Sequence, residues 1–316
     1  MEYRKLGKSG LRISELVLGT MNFGCNVEQK EAYRIMDAAL EAGLNYFDTA
    51  NNYGKAIHKE GISETIIGNW FAAEPAKRQR VILASKVYEP MGDLGANDAA
   101  GLSAYKIRRH FESSLQRLQT EHIELYYIHH VDRTINWREV LPVFQSLMTS
   151  GKIDYFATSN FAAWNIADIV AEAAQEGMFG PICEQHKYNL MTRQAELEVL
   201  PCAKSHGIGV VVWSPLNRGM LSRNARLDSI DDEGVRVQLQ RFHALCADLG
   251  EHEDTVALAW ILQNPMVTAP IIGPRTVEQV YDAVRATEIK LDSTINQELD
   301  KIFPGMGGQA PEAYAW

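Results

Sequence analysis

Residues 81–130 read VILASKVYEPMGDLGANDAAGLSAYKIRRHFESSLQRLQTEHIELYYIHH, and two changes of pattern within them decide the fold. Residues 81–86 (VILASK) are a short, β-branched apolar run closing on a lysine. Residues 103–119 then carry apolar side chains at helical spacing, opened by Ser103 as an N-cap. Residues 123–129 (IELYYIH) return to a continuous β-branched and aromatic run, closing on a histidine. Two apolar runs without polar alternation, joined through a helix, describe neighbouring parallel strands buried on both faces.

The same alternation extends outward in both directions. Toward the N-terminus, strands at 15–19 (ELVLG) and 44–48 (LNYFD) are followed by helices over 28–42 and 63–71. Toward the C-terminus, strands at 153–158, 181–185, 209–213 and 267–272 alternate with helices over 137–148, 162–176, 193–206, 235–249, 255–263 and 277–286. About eight strand–helix units result. An open doubly wound sheet has no need of eight even units, whereas a closed barrel does, so the expected fold class is α/β, a (β/α)8 TIM barrel. Tyr3 to Leu6 and Leu11 to Ile13, joined by Lys8-Ser9-Gly10, read as an N-terminal β-hairpin closing the bottom. No composition break divides the chain, so residues 1–316 are expected to form one barrel domain.

A hydrophobic content of 46% supplies a large core and excludes disorder as the main state. With 31 basic and 40 acidic residues the net charge is −9, which argues against nucleic-acid or anionic-membrane binding, since both need a basic face. No apolar run approaches the roughly 20 residues of a membrane span. The opening MEYRKLGKSG lacks a signal-peptide core. Cys25, Cys183, Cys202 and Cys246 lie far apart with no C-x-x-C pair, so neither a metal site nor a redox dithiol is expected. A cytoplasmic, reducing setting is the default. Oligomeric state cannot be derived from the sequence.

In such a barrel the active site lies at the C-terminal strand ends. There the sequence collects Gly19, Thr20 and Met21, Asp48, Lys86, His129 and His130, Ser159 and Asn160, Gln185, Trp213 and Ser214, and Gly273, Pro274 and Arg275. Tyr53 stands five residues after Asp48, in the following loop. If Asp48, Tyr53, Lys86 and His129 converge, the ammonium favours the phenolate and lowers the Tyr53 pKa, while the carboxylate holds the lysine charged. Tyr53 then becomes a general acid, and a histidine hydrogen-bonds the oxygen it protonates. That suits protonation of a carbonyl oxygen as hydride reaches its carbon. No nucleophile with an adjacent base and no glycosidase-type carboxylate pair is evident.

Taken alone, Asp48 would as readily cap its loop, Lys86 snorkel to the surface, Trp213 pack as a core aromatic, and Arg218 and Arg275 sit solvated. His129 and His130 are consecutive, so their side chains are expected on opposite faces, with one toward the site. Asn22, Tyr88, His130, Trp164 and Tyr188 could line a substrate pocket or pack the rim. His110 and His122 are expected at the surface.

From end to end the chain resembles the aldo-keto reductases. The matching stretches are KLGKSGLRISELVLGTMNFG, FDTANNYG, ILASKV, ELYYIHHVD, GKIDYFATSNF, EQHKYNL, VVVWSPLNRGMLS and IIGPRTVEQV. The resemblance implies a barrel that binds NADPH without a Rossmann fold, and no G-x-G-x-x-G follows the first strand. It implies a catalytic tetrad of Asp48, Tyr53, Lys86 and His129, with Tyr53 the proton donor and a small-molecule carbonyl as substrate. It assigns Ser159, Asn160 and Gln185 to the nicotinamide carboxamide and Trp213 to stacking on the ring. Ser214, Pro215, Leu216, Arg218, Gly219 and Leu221 match the pyrophosphate loop, with Gly19, Thr20, Met21 and Asp48 in the same cofactor set. Gly273 allows close backbone approach, and Arg275, Gln279 and Asp282 match the adenosine end. A guanidinium at 275 would grip a 2′-phosphate, favouring NADPH over NADH. Ala283 stands where the family usually has the asparagine that contacts adenine.

Residues 89–103 and the tail 310–316 resemble bacterial relatives close to the potassium-channel β-subunits, some of which reduce sugar-nucleotide intermediates. Residues 221–235 form a short loop, so no long cofactor seat-belt is expected. Reduction of a sugar-nucleotide ketone or enone therefore stands beside general carbonyl reduction, as does a cofactor-sensing accessory subunit. Such sensors can carry asparagine where His129 stands, so the intact tetrad favours catalysis.

Overall fold

A computed structural model describes residues 1–92 and 95–315. Trp316, the last residue of the tail quoted above, lies outside the described residues, as do residues 93 and 94 of the segment 89–103. The chain opens with β1 (Tyr3–Lys5) and β2 (Arg12–Ser14), an antiparallel hairpin. The strands β3 (Val17–Gly19), β4 (Tyr46–Asp48), β5 (Ile82–Val87), β6 (Ile123–Ile128), β7 (Ile153–Ser159), β8 (Cys183–Lys187), β9 (Gly209–Trp213) and β10 (Ala269–Ile272) follow. They pair in parallel in sequence order, and β10 closes onto β3. The expected (β/α)8 barrel is therefore present. Between the strands run α1 (Gln29–Glu41), α2 (Ile62–Ala73), α3 (Ala104–Leu118), α4 (Trp137–Thr149), α5 (Ala163–Gln175), α6 (Val199–His206), α7 (Glu233–Leu249) and α8 (Glu253–Leu262). After β10 come α9 (Val277–Arg285), α10 (Ser293–Ile302) and α11 (Glu312–Ala315). Among the described residues no helix is long and apolar enough to cross a membrane.

The two-residue strand period sorts the side chains into two cores. Val17, Tyr46, Ala84, Leu125, Tyr127, Ala157, Cys183, Val211 and Ala269 fill the lumen. Their neighbours Leu18, Phe47, Leu83, Tyr126, Phe156 and Val210 join the larger core against the helices. Leu6 and Ile13 of the hairpin region belong to the luminal core and are fully buried, so the hairpin plugs one end. Lys8 N donates to Gly207 O at 2.7 Å, which places that end at the start of β9. The opposite end, at the strand C-termini, carries the polar residues. Following the inward parity, Tyr46 leads to Asp48, Ala84 to Lys86, Ala157 to Ser159, Cys183 to Gln185 and Val211 to Trp213.

The helix expected over 193–206 is two pieces, a single 3₁₀ turn at Gln194–Glu196 and then α6. Pro201 explains the break. Its ring would clash with the carbonyl four residues back in a continuous helix, but it fits the first turn of one that starts at Val199. The freed Leu197 carbonyl accepts from Ala310 N at 2.9 Å. The strand expected at 181–185 is shifted to Cys183–Lys187, since Pro181 has no N–H for the ladder. His110, expected at the surface, is fully buried. It lies in the apolar stripe of α3 with Ile107, Phe111, Ser114 and Leu118, and its Nε2 is 3.1 Å from Asp98 Oδ1. Its Nδ1 is 3.1 Å from Asn51 Nδ2.

Candidate active site

Asp48 ends β4 and Lys86 lies near the end of the adjacent β5, both pointing inward, and both are almost completely buried. Lys86 Nζ donates to Asp48 Oδ2 at 2.6 Å, to the Thr49 carbonyl at 2.8 Å and to Tyr53 Oη at 3.0 Å. All three ammonium protons are thereby used. The other Asp48 oxygen accepts from Gln185 Nε2 at 2.8 Å, across the lumen. Tyr53 is half-buried and reaches the lysine from the loop after β4. Gly54 follows it with φ 115°, a conformation that L side chains rarely adopt, and turns the chain into the next segment.

The electrostatics differ from the expectation in one respect. Burial raises the Tyr53 pKa, Lys86 opposes it, and Asp48 adds to the rise, so the phenol stands above 10.0 rather than below it. The expected lowering by Lys86 is outweighed first by burial of the phenol and then by the nearby Asp48 carboxylate. Tyr53 therefore keeps its proton throughout the neutral range. Burial pulls Lys86 down, but Asp48 and Tyr53 more than offset this and hold it above an ordinary lysine.

His129 directly follows β6, and its ring meets that of Tyr53 edge-on at 6.2 Å. Burial first, then Lys86 and His130, push its pKa well below 6.5, so the imidazole is neutral. Its buried Nδ1 has no hydrogen-bond partner among the described residues. The expectation that His129 and His130 face opposite ways is corrected: their rings stack at 4.7 Å with planes 10° apart. The strand ends at Ile128, so the period of two does not reach them. His130 in turn meets Tyr88 edge-on at 5.2 Å, and its Nε2 is 3.9 Å from Glu89, which pairs with Lys55 at 2.6 Å.

Ser159 Oγ donates to the Gln185 carbonyl at 2.9 Å. Asn160, with φ 61°, sends Nδ2 to the His129 carbonyl at 3.1 Å and receives Trp213 Nε1 on Oδ1 at 3.1 Å. Left-handed backbone is tolerated best by glycine and then by asparagine, which accounts for the residue type. After Trp213 the chain passes through Ser214, Asn217, Arg218 and Gly219, all at positive φ, with Pro215 and Leu216 between and Leu221 buried beyond. Gly19 is packed so closely that a Cβ would meet the Ile271 side chain at 2.5 Å. Thr20 is buried, whereas Met21 is 62% exposed. Asn22 donates to the Gly273 carbonyl at 3.0 Å.

Gln279 forms a capping box at the start of α9: its N–H faces Thr276 Oγ1 and its Oε1 accepts from Arg275 N at 2.7 Å. Asp282 pairs with Arg223 at 3.2 Å, so of the three adenosine-end candidates Gln279 and Asp282 already hold protein partners. Arg218 and Arg275 make no ion pair among the described residues. Trp164 is 60% exposed with the Arg133 guanidinium 5.7 Å above it. Tyr188 does not line a pocket; it is buried, stacks on Trp260 at 5.2 Å and donates to Glu196 at 2.7 Å. Sequence reasoning missed the Thr49 carbonyl and the Asn160–Trp213 link, because backbone acceptors and cross-strand partners leave no pattern in the sequence.

The aldo/keto reductase family model matches residues 15–303. The chain is 53% identical to "Uncharacterized oxidoreductase YrpG" of Bacillus subtilis (strain 168), covering 100% of both chains. It is 30% identical to "Probable voltage-gated potassium channel subunit beta" of Oryza sativa subsp. japonica, over 92% of each. It is also 30% identical to "Putative aryl-alcohol dehydrogenase C977.14c" of Schizosaccharomyces pombe, again over 92% of each.

Proposed function

The chain belongs to the aldo/keto reductase family and is an oxidoreductase acting on carbonyl groups, and from that premise we propose that it uses NADPH to reduce an aldehyde or ketone, with Tyr53 as proton donor. One observation carries this reading: a single buried ammonium, Lys86, bonds both Asp48 and the Tyr53 hydroxyl. The family generally uses a nicotinamide cofactor, and the residues fit one. His129 keeps a buried nitrogen without a partner, and two arginines without carboxylate partners flank the loops after β9 and β10. Ser159, Asn160, Gln185 and Trp213 would hold the nicotinamide. Ser214, Pro215, Leu216, Arg218, Gly219 and Leu221 would hold the pyrophosphate, and Gly273 and Arg275 the phosphorylated ribose. When bound, the cofactor supplies hydride to the carbonyl carbon.

The protein supplies the proton. Tyr53 Oη carries it, and Lys86 donates a hydrogen bond to that same oxygen, stabilising the charge that develops as the proton leaves. Asp48 keeps Lys86 charged and fixed, and Gln185 keeps Asp48 in place. The neutral His129 orients the carbonyl oxygen, and the residues around His130 form the rim a substrate would cross. In the reverse direction the same groups take the proton from an alcohol.

Tyr53→Phe tests the reading. Removing a general acid typically costs about 10²–10⁴-fold, so NADPH-dependent reduction of an aldehyde panel should fall at least about a hundredfold, with NADPH affinity within about threefold. Wild-type-like turnover in this variant would refute the donor role. A panel that includes a nucleotide-linked keto sugar separates the sugar-nucleotide branch from general carbonyl reduction. Tight NADPH binding with no turnover on any carbonyl would favour a sensing role.

A further inference from the structure

Glu184 is a buried carboxylate that the proton chemistry above does not use. It precedes Gln185 on β8, so its side chain leaves the opposite face of the strand, into the layer between barrel and helices, where it is fully buried. Its Oε2 accepts from Thr158 Oγ1 at 2.6 Å, and its Oε1 accepts from Phe161 N at 3.0 Å and lies 3.0 Å from His186 Nδ1. Thr158 and Phe161 bracket the pair Ser159 and Asn160. Asn160 is the hub of this side of the site, bonded to the His129 carbonyl and the Trp213 ring and 3.3 Å from His130 Nδ1. It adopts φ 61°, the left-handed conformation that asparagine tolerates better than most residues. An acid in an otherwise apolar layer is costly unless donors converge on it. Here two of the donors that converge, Thr158 Oγ1 and Phe161 N, flank that turn on both sides.

We propose that Glu184 is a positioning residue for the reaction. By holding Thr158 and Phe161 it fixes Asn160, and through Asn160 the His129 carbonyl and the Trp213 ring. This rests on the reading that His129 and Trp213 belong to the active site.

The test compares Glu184→Leu, Glu184→Gln and Thr158→Val. Two readouts are taken: deuterium exchange of the segment 157–164, and kcat and KM for NADPH-dependent reduction of 4-nitrobenzaldehyde. Glu184→Leu removes both acceptors. The Phe161 amide should exchange at least tenfold faster and kcat should fall at least tenfold. Glu184→Gln keeps an oxygen for Phe161 N and should stay within threefold of wild type in both readouts. A residue that merely fills space would tolerate Leu and Gln alike, so the contrast between the two variants is the discriminating result. Thr158→Val removes only the Oε2 bond and should give an intermediate loss of threefold or more, which decides the matter if Glu184→Leu does not fold. The proposal is overturned if Glu184→Leu exchanges like wild type, if it exchanges faster with kcat/KM unchanged, or if Glu184→Gln is as impaired as Glu184→Leu. Wild-type protein without turnover would refute the proposed reaction instead, and the exchange comparison would still decide whether Glu184 holds the turn.

Discussion

Replacing Lys86 by Met removes the group on which the proposed proton chemistry depends while keeping its bulk. The ammonium makes three hydrogen bonds, to Asp48, the Thr49 carbonyl and Tyr53, and neither partner in the ion pair reaches solvent to any useful extent. Without it, Asp48 is a buried carboxylate whose remaining side-chain partner among the described residues is Gln185. Removing one member of a buried ion pair costs about 3–5 kcal/mol, because the other charge is left uncompensated. For a chain of this size that corresponds to a fall in melting temperature of roughly 5–8 °C. Adding Asp48→Asn removes the stranded charge, so the double variant should be more stable than the Lys86→Met single. We expect a coupling energy of about 2 kcal/mol in the double-mutant cycle, measured by urea unfolding. Activity should not follow stability: with Lys86 gone, the developing Tyr53 phenolate has lost its partner, and both the single and double variants should lose about 10³-fold or more of kcat/KM. Additive stability losses, or a Lys86→Met enzyme within tenfold of wild type, would refute this account.

Arg275→Ala should weaken NADPH at least tenfold, while NADH affinity changes by less than threefold, as read by fluorescence titration; equal losses would show that Arg275 does not read the extra phosphate. Because His129 is held neutral well below 6.5 and Tyr53 protonated above 10.0, kcat/KM for reduction should stay level between those two pH values. The His129 shift also has a stability consequence. Its folded pKa lies below the unfolded value, so its contribution is complete above about pH 6.5 and is lost as the pH falls toward the folded value. Urea midpoints of wild type against His129→Gln should therefore diverge in slope only on the acid side. Gly54→Val places a branched side chain at φ 115° against the Lys59 carbonyl and Ile62. We expect a loss of about 1–3 kcal/mol from the backbone alone, together with reduced kcat, since Tyr53 is the neighbouring residue.

The barrel was legible because its strands are uninterrupted β-branched runs, and their parity carried Asp48, Lys86, Ser159, Gln185 and Trp213 to one end. What was misread falls where that regularity stops. The stacking of His129 on His130 occurs one residue past a strand end. The burial of His110 was visible in the period of α3, but a titratable residue in an apolar stripe was read by type rather than by position. The Tyr53 shift is set first by how deeply the phenol is buried and then by the opposed pulls of Lys86 and Asp48, a balance of burial and distances that no spacing encodes. Glu184 sits in the quoted run EQHKYNL yet gave no signal, because its partners Thr158 and Phe161 meet it only through strand register.

The bond from Gln185 to Asp48 spans 137 residues of sequence. The four groups proposed to handle the proton lie between residues 48 and 129, whereas most of those proposed to hold the nucleotide lie between 159 and 282. Under the proposed function, that bond joins two halves of a gene product that divide the labour of the reaction. A chimera that takes its first half from one relative and its second from another would then inherit acid–base behaviour from one parent and coenzyme preference from the other. The splice would work only where both parents keep the amide and the acid that clasp across the seam.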